Sequence, residues 1–180
     1  MQLGSESQDG DRMVEIEAKL RGHPNLRRVI ERLGGKSLGV VDQEDIYLFH
    51  PRIEMKDCAL RVRIECSNNC KSVKLCYKGP RLTIGMVKQR EEIEVHVDDL
   101  DKLLSIFRNL GFEVVATVKK KREIFSLGKV EIHLDDVEEL GMFLEIEGNS
   151  RSEIEKVISE LGLSEKEVER RTYLEMLLGG

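Results

Sequence analysis

Glu15, Glu17 and Lys19 alternate with Val14, Ile16, Ala18 and Leu20. A β-strand sends successive side chains to opposite faces, so the two carboxylates and the ammonium group share one face. Neighbouring carboxylates repel unless a cation lies between them, and a lysine one step further suits a polyanion. The chemistry open to such a face is to hold a divalent cation that carries a phosphate chain. A solvated face of an antiparallel sheet shows the same alternation, so one strand decides nothing alone.

The other strand-like segments repeat the pattern. Arg61, Arg63 and Glu65 alternate with Leu60, Val62 and Ile64, and Lys74, Cys76 and Lys78 alternate with Val73, Leu75 and Tyr77. Arg90, Glu92 and Glu94 oppose Ile93 and Val95. Lys120 and Arg122 share a face, as do Glu131, His133 and Asp135, while Glu145 and Glu147 oppose Leu144 and Ile146. Every strand but the second has a heavily charged face. The acids Glu15, Glu17, Glu145 and Glu147 come from the first and last strands, and the bases Arg61, Arg63, Lys78, Lys120 and Arg122 from the middle ones. An acid patch holds hard cations through oxygen, and Arg and Lys around it bind phosphate oxygens, Arg in a two-pronged way. Together they describe a triphosphate with its metal. An open sheet with surface ion pairs stays as the alternative, although it leaves the segregation by strand unexplained.

These faces need a scaffold. Pro24 suits a first helical turn, and Leu26, Val29, Ile30 and Leu33 form a stripe that Gly34-Gly35 ends. Strands are expected over 44–49, 59–66, 72–78 and 87–97, with Asn68-Asn69 as the turn between the second and third. A second helix carries Leu100, Leu103, Leu104, Phe107 and Leu110 and stops at Gly111. Strands over 112–125, 129–137 and 142–147 follow, then a helical tail in which Ser152 with Glu155 and Ser164 with Glu167 fit capping boxes. The last apolar segment, 172–178, is expected to dock on the body.

An internal repeat organises this order. Glu15-Ile16-Glu17 aligns with Glu92-Ile93-Glu94, which places Leu26 on Leu103, Ile30 on Phe107, Leu33 on Leu110 and Gly34 on Gly111. Each half reads strand, helix, three strands. Two halves suit an α+β fold built on an eight-stranded, closed antiparallel β-barrel with pseudo-twofold symmetry. Amphipathic helices need apolar surface, so they should cover the outside and leave a charged tunnel within. Charges enclosed there must be paired, hydrated or matched by a ligand and metal.

Composition sets bounds. At 180 residues, a single domain over 13–180 is expected after a disordered polar leader over 1–12. No apolar run approaches the ~20 residues of a membrane span, and no secretory segment is visible, so a cytoplasmic location is expected. A net charge of −5 argues against a general nucleic-acid or anionic-membrane surface. Cys58, Cys66, Cys70 and Cys76 lack the paired spacing of structural zinc, and Cys66 and Cys70 could face each other across a hairpin tip.

Glu15-x-Glu17-x-Lys19 resembles the N-terminal signature of the CYTH superfamily, named for class IV adenylate cyclases and thiamine triphosphatases and also called triphosphate tunnel metalloenzymes. Asp45-Ile46-Tyr47-Leu48, Leu60-Arg61-Val62-Arg63, Tyr77-Lys78-Gly79-Pro80, Arg90-Glu91-Glu92, Lys120-Lys121-Arg122, the run from Leu134 to Glu147 and Tyr173-Leu174-Glu175 are similar to its successive blocks, in order. The resemblance implies an enzyme dependent on Mg²⁺ or Mn²⁺ that acts on a nucleoside or inorganic triphosphate. By position it implies metal binding by Glu15, Glu17, Glu145 and Glu147, and phosphate binding by Arg61, Arg63, Lys78, Arg90, Lys120 and Arg122. Lys19 would assist at the phosphate chain, and Asp135 would serve the metal or order a base. Class IV cyclisation of ATP to cyclic AMP and pyrophosphate is the nearer branch. Hydrolysis of tripolyphosphate, thiamine triphosphate or nucleotides is the alternative, and a non-catalytic polyphosphate binder a third. The resemblance also leaves a homodimer open.

Overall fold

The computed structural model describes residues 13–67 and 70–179, so the leader over 1–12 and the turn at Asn68-Asn69 lie outside the described residues. The chain runs β1 (Met13–Arg21), α1 (Leu26–Arg32), β2 (Lys36–Phe49), β3 (Ala59–Ser67), β4 (Cys70–Lys78), β5 (Leu82–Ile84), β6 (Val87–His96), α2 (Leu100–Asn109), β7 (Glu113–Leu127), β8 (Val130–Val137), β9 (Gly141–Gly148), α3 (Arg151–Glu160) and α4 (Tyr173–Leu177). All pairings are antiparallel. The order β1-β9-β8-β7-β2-β3-β4-β6 closes through β6 on β1, giving the expected eight-stranded barrel. The ninth strand, β5, is a three-residue addition to β6 beyond the end of β4.

The repeat is real in three dimensions. A twofold exchange that carries Glu15 onto Glu92 turns the pair Glu15–Arg90 into Met13–Glu92, and both are found in one ladder. Likewise Asp45–Val118 exchanges with Val40–Glu123 across β2 and β7. Gly34 and Gly111 each follow their helix with φ of +91°, a left-handed conformation that favours glycine.

The outer faces differ in cover. Leu26 and Ile30 of α1 and Ile154, Val157 and Ile158 of α3 close over Ala18, Leu20, Ile132, Leu144 and Ile146 in the main apolar core. The repeat mates of Leu26 and Ile30, Leu103 and Phe107, are only half-buried, and α2 buries no residue. The expectation that α2 seals the barrel as α1 does is therefore corrected. α1 shares its core with α3, whereas Phe107 of α2 lies outside that core and packs edge-on against Phe112 at 5.0 Å. Ile93 and Val95 stay about half exposed, at 45% and 50%.

Three local expectations also change. β2 begins at Lys36 rather than near 44, because residues 36–43 pair with β7. Ser150, not Ser152, caps α3, while Ser164 and Glu167 form the anticipated capping box. Cys70 stands opposite Ser67 and Cys66 opposite Lys71, so the two cysteines are not cross-strand partners, and all four are free thiols. No helix among the described residues is long and apolar enough to cross a membrane.

Candidate active site inside the barrel

The inward faces line a cavity of about 660 Å³, within the usual size range of ligand sites. Strand alternation delivers the lining. β1 contributes Glu15, Glu17 and Lys19, β9 Glu145 and Glu147, and β8 Glu131 and His133; across the ring, β7 gives Lys120 and Arg122 and β3 gives Arg61 and Arg63. One wall is thus rich in carboxylates and the opposite wall in guanidinium and ammonium groups.

The basic wall is built on two buried aspartates. Asp45, fully buried on β2, accepts hydrogen bonds from Arg63 at 2.7 and 2.9 Å and from Arg61 at 3.2 Å. Burial opposes its ionisation, but the two guanidinium groups outweigh it and hold the carboxyl well below the usual range. Asp135, fully buried on β8, receives Arg122 in a two-pronged contact at 2.7 Å, Lys120 at 3.0 Å and the Tyr173 hydroxyl at 2.9 Å. Burial is again outweighed, by Lys120 and Arg122, and its carboxyl sits at about 2. Burial and then Arg122 lower Lys120 to about 8. Each aspartate occupies part of its cations' donors and leaves the rest aimed by a rigid fork.

The acid wall is less fully compensated. Ligand atoms of Glu15, Glu17 and Glu147 lie within 4.8 Å of one another. Lys88 reaches Glu17 at 3.0 Å, and although burial opposes ionisation, Lys88, Lys78 and Lys19 together outweigh it and hold Glu17 at about 2. Lys78 bridges Glu15 at 2.5 Å and Glu92 at 3.1 Å. Even so, burial and the adjacent Glu17 push Glu15 up to about 7. Three carboxylates converging on one point, one of them unable to ionise freely, fit a hard divalent cation held through oxygen. The residues therefore suit the metal that the sequence pattern suggests.

The remaining candidates sort by contact. Glu145 is not in that trio: it pairs with Arg122 and lies 3.5 Å from Lys19, and Lys120, Arg122 and Lys19 together outweigh its burial and keep it ionised. Lys19 donates to the Arg171 carbonyl at 3.2 Å and sits 3.9 Å above the Tyr173 ring, and burial lowers its pKa. Arg90 directs its guanidinium at the carbonyls of Gly79 (2.6 and 3.0 Å), Lys78 (3.2 Å) and Asp57 (3.4 Å), bracing the turn that carries Lys78. Asp135 stands among the cations and away from the acid trio.

Sequence reasoning passed over Asp45, Lys88 and the closing role of Tyr173 as site features. Lys88 lies two residues before Arg90, so the alternation rule reaches it directly. At one end, α4 closes the cavity: its Thr172–Glu175 capping box fixes the helix, and Arg81 ties Glu175 at 2.8 and 2.9 Å to Asp57 at 2.5 Å.

Comparison with known proteins agrees with this geometry. The CYTH domain family model matches residues 13–173. A Methanocaldococcus jannaschii protein, provisionally named an adenylate cyclase, is 36% identical over 174 residues, covering 91% of this chain and 97% of that one. A solved Pyrococcus horikoshii protein superposes with a TM-score of 0.80 at 36% identity, covering 92% of this chain and 98% of its own. A Hippeastrum protein, provisionally an adenylyl cyclase and described as having a dominant triphosphatase activity, shares the fold with a TM-score of 0.68 at 20% identity over 92% of this chain and 96% of that one.

Proposed function

Because this chain belongs to the CYTH domain family, we propose that its tunnel is the active site of a metal-dependent enzyme that cyclises ATP to cyclic AMP and pyrophosphate. The observation that carries this reading is the trio Glu15, Glu17 and Glu147 facing Arg61, Arg63, Lys120 and Arg122 across one cavity. Mg²⁺ or Mn²⁺ at the trio would polarise phosphoryl oxygens and neutralise part of their charge.

The chain's own groups do the rest. Arg61 and Arg63, fixed by Asp45, and Lys120 and Arg122, fixed by Asp135, take the phosphate oxygens in a set orientation. Lys19 and Lys78 stand beside the acid wall, where they meet the phosphates nearest the metal. The ribose 3′ oxygen bonds to the α-phosphorus, the bond from that phosphorus to the bridging oxygen breaks, and pyrophosphate leaves against the basic wall. The hydroxyl proton passes to water. Asp135 acts as a positioning residue for the basic wall, and Glu145 sets Arg122 and Lys19.

Hydrolysis of a triphosphate is the second reading, and one observation favours it. Among the described residues, the Phe and Tyr rings lining the cavity are Tyr47 and Tyr173, both buried, and neither offers adenine an open face to stack on. The test is a product assay with Mg²⁺ or Mn²⁺, in which ATP and tripolyphosphate are offered separately. Cyclic AMP with equimolar pyrophosphate supports the proposal. Orthophosphate without cyclic AMP replaces it with the hydrolase, and no turnover with tight tripolyphosphate binding makes the protein a polyphosphate binder.

A further inference from the structure

Gln43 lines the cavity from the inward face of β2 and has no part in the proposed chemistry. Along that face Tyr47 packs with Tyr173 of α4 at the closed end, and Asp45 comes next. Gln43 lies two residues beyond Asp45, about 7 Å further from α4 along the strand. Glu65 stands opposite it on β3, two residues beyond Arg63. The lining opens here: the side chains of Glu65, Lys74 and Glu94 are 24%, 26% and 31% exposed, against 1% for Asp45 and 0% for Asp135. Gln43 therefore stands between the phosphate-binding wall and the mouth, where a triphosphate seated on Arg63 and Arg122 sends whatever it carries.

The Gln43 amide is held in one orientation. Its Nε2 donates to Glu65 Oε1 at 2.6 Å. An ionised carboxylate only accepts, so the amide oxygen cannot take that place. Glu65 is braced in turn: its other oxygen lies 3.9 Å from Lys74 Nζ, and Lys74 donates at 3.1 Å to Glu94, which also accepts from Cys76 Sγ at 3.1 Å. The side chain of Gln43 is thus fixed, but its bonding is incomplete. Its carbonyl oxygen is buried and makes no hydrogen bond, although the residue is only 5% exposed. A buried acceptor in that state is destabilising until a donor meets it. Beside it, Nε2 keeps a second hydrogen.

We propose that the Gln43 amide, locked by Glu65, reads the base of a nucleoside triphosphate held in the tunnel. An acceptor beside a donor in fixed order matches an amino group beside a bare ring nitrogen. Adenine presents that pair at N6 with N1 or N7, and a glutamine amide grips it with two hydrogen bonds. Cytosine shares the pattern, so the choice is between amino and oxo bases. Guanine, uracil and hypoxanthine put a carbonyl oxygen where the amino group would stand, against the Gln43 oxygen, and Glu65 keeps the amide from turning to suit them. Recognition of a base edge needs no open ring to stack on. The inference rests on the reading of the tunnel as a nucleotide site and supplies its base specificity, with Gln43 as the binding group and Glu65 as a positioning residue.

The test compares the affinities of ATP, ITP and tripolyphosphate for the full chain in Mg²⁺, read by stopped-flow displacement on a timescale shorter than turnover. ITP differs from ATP only at the base edge, where an oxo group and an N1–H replace the amino group and the bare N1. The wild-type protein is expected to bind ATP about 10–100-fold more tightly than ITP, the range for one two-pronged base contact. Gln43→Ala should bring the two affinities together. Glu65→Gln, which frees the amide to turn, should also close the gap, chiefly by tightening ITP. A purely structural role for either residue would instead weaken ATP, ITP and tripolyphosphate alike. Circular dichroism checks folding, and the wild-type ratio with Glu65→Gln decides the matter if Gln43→Ala unfolds. Equal affinity for ATP and ITP in the wild type, or an unchanged ratio in both folded variants, overturns the inference. The product assay judges the reaction separately. Cyclic AMP from a protein that binds ATP and ITP alike removes the base reader and keeps the cyclase, whereas orthophosphate with the ATP preference intact removes cyclisation and keeps the base reader.

Discussion

The two walls of the barrel hold charges of similar number in opposite ways. On the basic wall every carboxylate is saturated: Asp45 and Asp135 each bind two cations, and both are held below the ordinary carboxylate range. On the acid wall Glu15 keeps a salt bridge to Lys78 and is still pushed up to about 7. The difference separates scaffold from site. A buried charge whose partners are complete fixes geometry, whereas one left short of a counter-charge marks where a ligand belongs.

The largest expected effect comes from breaking the saturated wall. Asp135→Asn leaves Lys120 and Arg122 buried with one acid fewer, and stability should fall by about 3–5 kcal/mol in denaturant unfolding. A loss under about 1 kcal/mol would show that the hub does not hold the wall. Glu15→Gln should do the reverse. It relieves repulsion with Glu17, so stability should hold or rise, while metal-dependent turnover drops about 100-fold or more. Equal loss of stability in both variants would erase the distinction between the walls.

pH sharpens the same contrast. Glu17 and Asp135, at about 2 in the fold against 4.5 and 3.8 ordinarily, contribute stability that is complete above those ordinary values and is lost as pH falls towards 2. Glu15 runs the other way: the folded chain keeps its proton to about 7 while the unfolded chain releases it near 4.5, so stability declines as pH climbs between the two. His133, raised above 6.5 once its carboxylate contacts outweigh burial, adds to that decline. In chelator, melting temperature should peak near pH 4 to 5 and fall towards neutrality, and Mg²⁺ should reverse the upper fall. A flat melting profile from pH 5 to 7 without metal would remove the argument. The smallest effect is expected on the rim, where Arg81→Ala cuts the part-exposed ties to Asp57 and Glu175 and should cost about 1 kcal/mol or less.

Much of this was legible in the sequence because alternation is a strict rule. Once Glu15 and Glu17 share a face, so do Lys88 and Arg90, and the repeat of Glu15-Ile16-Glu17 at Glu92 implies the ring. What stayed hidden depends on partners. Asp45 sits in a strand face with Gln43 and Tyr47, which reads as scarcely charged, and its weight comes from Arg61 and Arg63 on the next strand. Arg90 looks like a phosphate ligand in one dimension, and in three it lines the cavity while its Nε and Nη2 donate to backbone carbonyls. α2 has the stripe of a covered helix, but a stripe does not say what covers it, and Leu103 meets less of the barrel than Leu26.

One feature of the ring reaches beyond catalysis. β1 lies between β6 and β9, so the first strand finds its last neighbour only after the eighth strand of the ring has been made. Glu15 and Glu17 stand on one side of that seam and Glu147 on the other. An ion held by all three would act as a rivet across the closing joint: it would bind only the sealed ring, and its binding energy would become energy of closure.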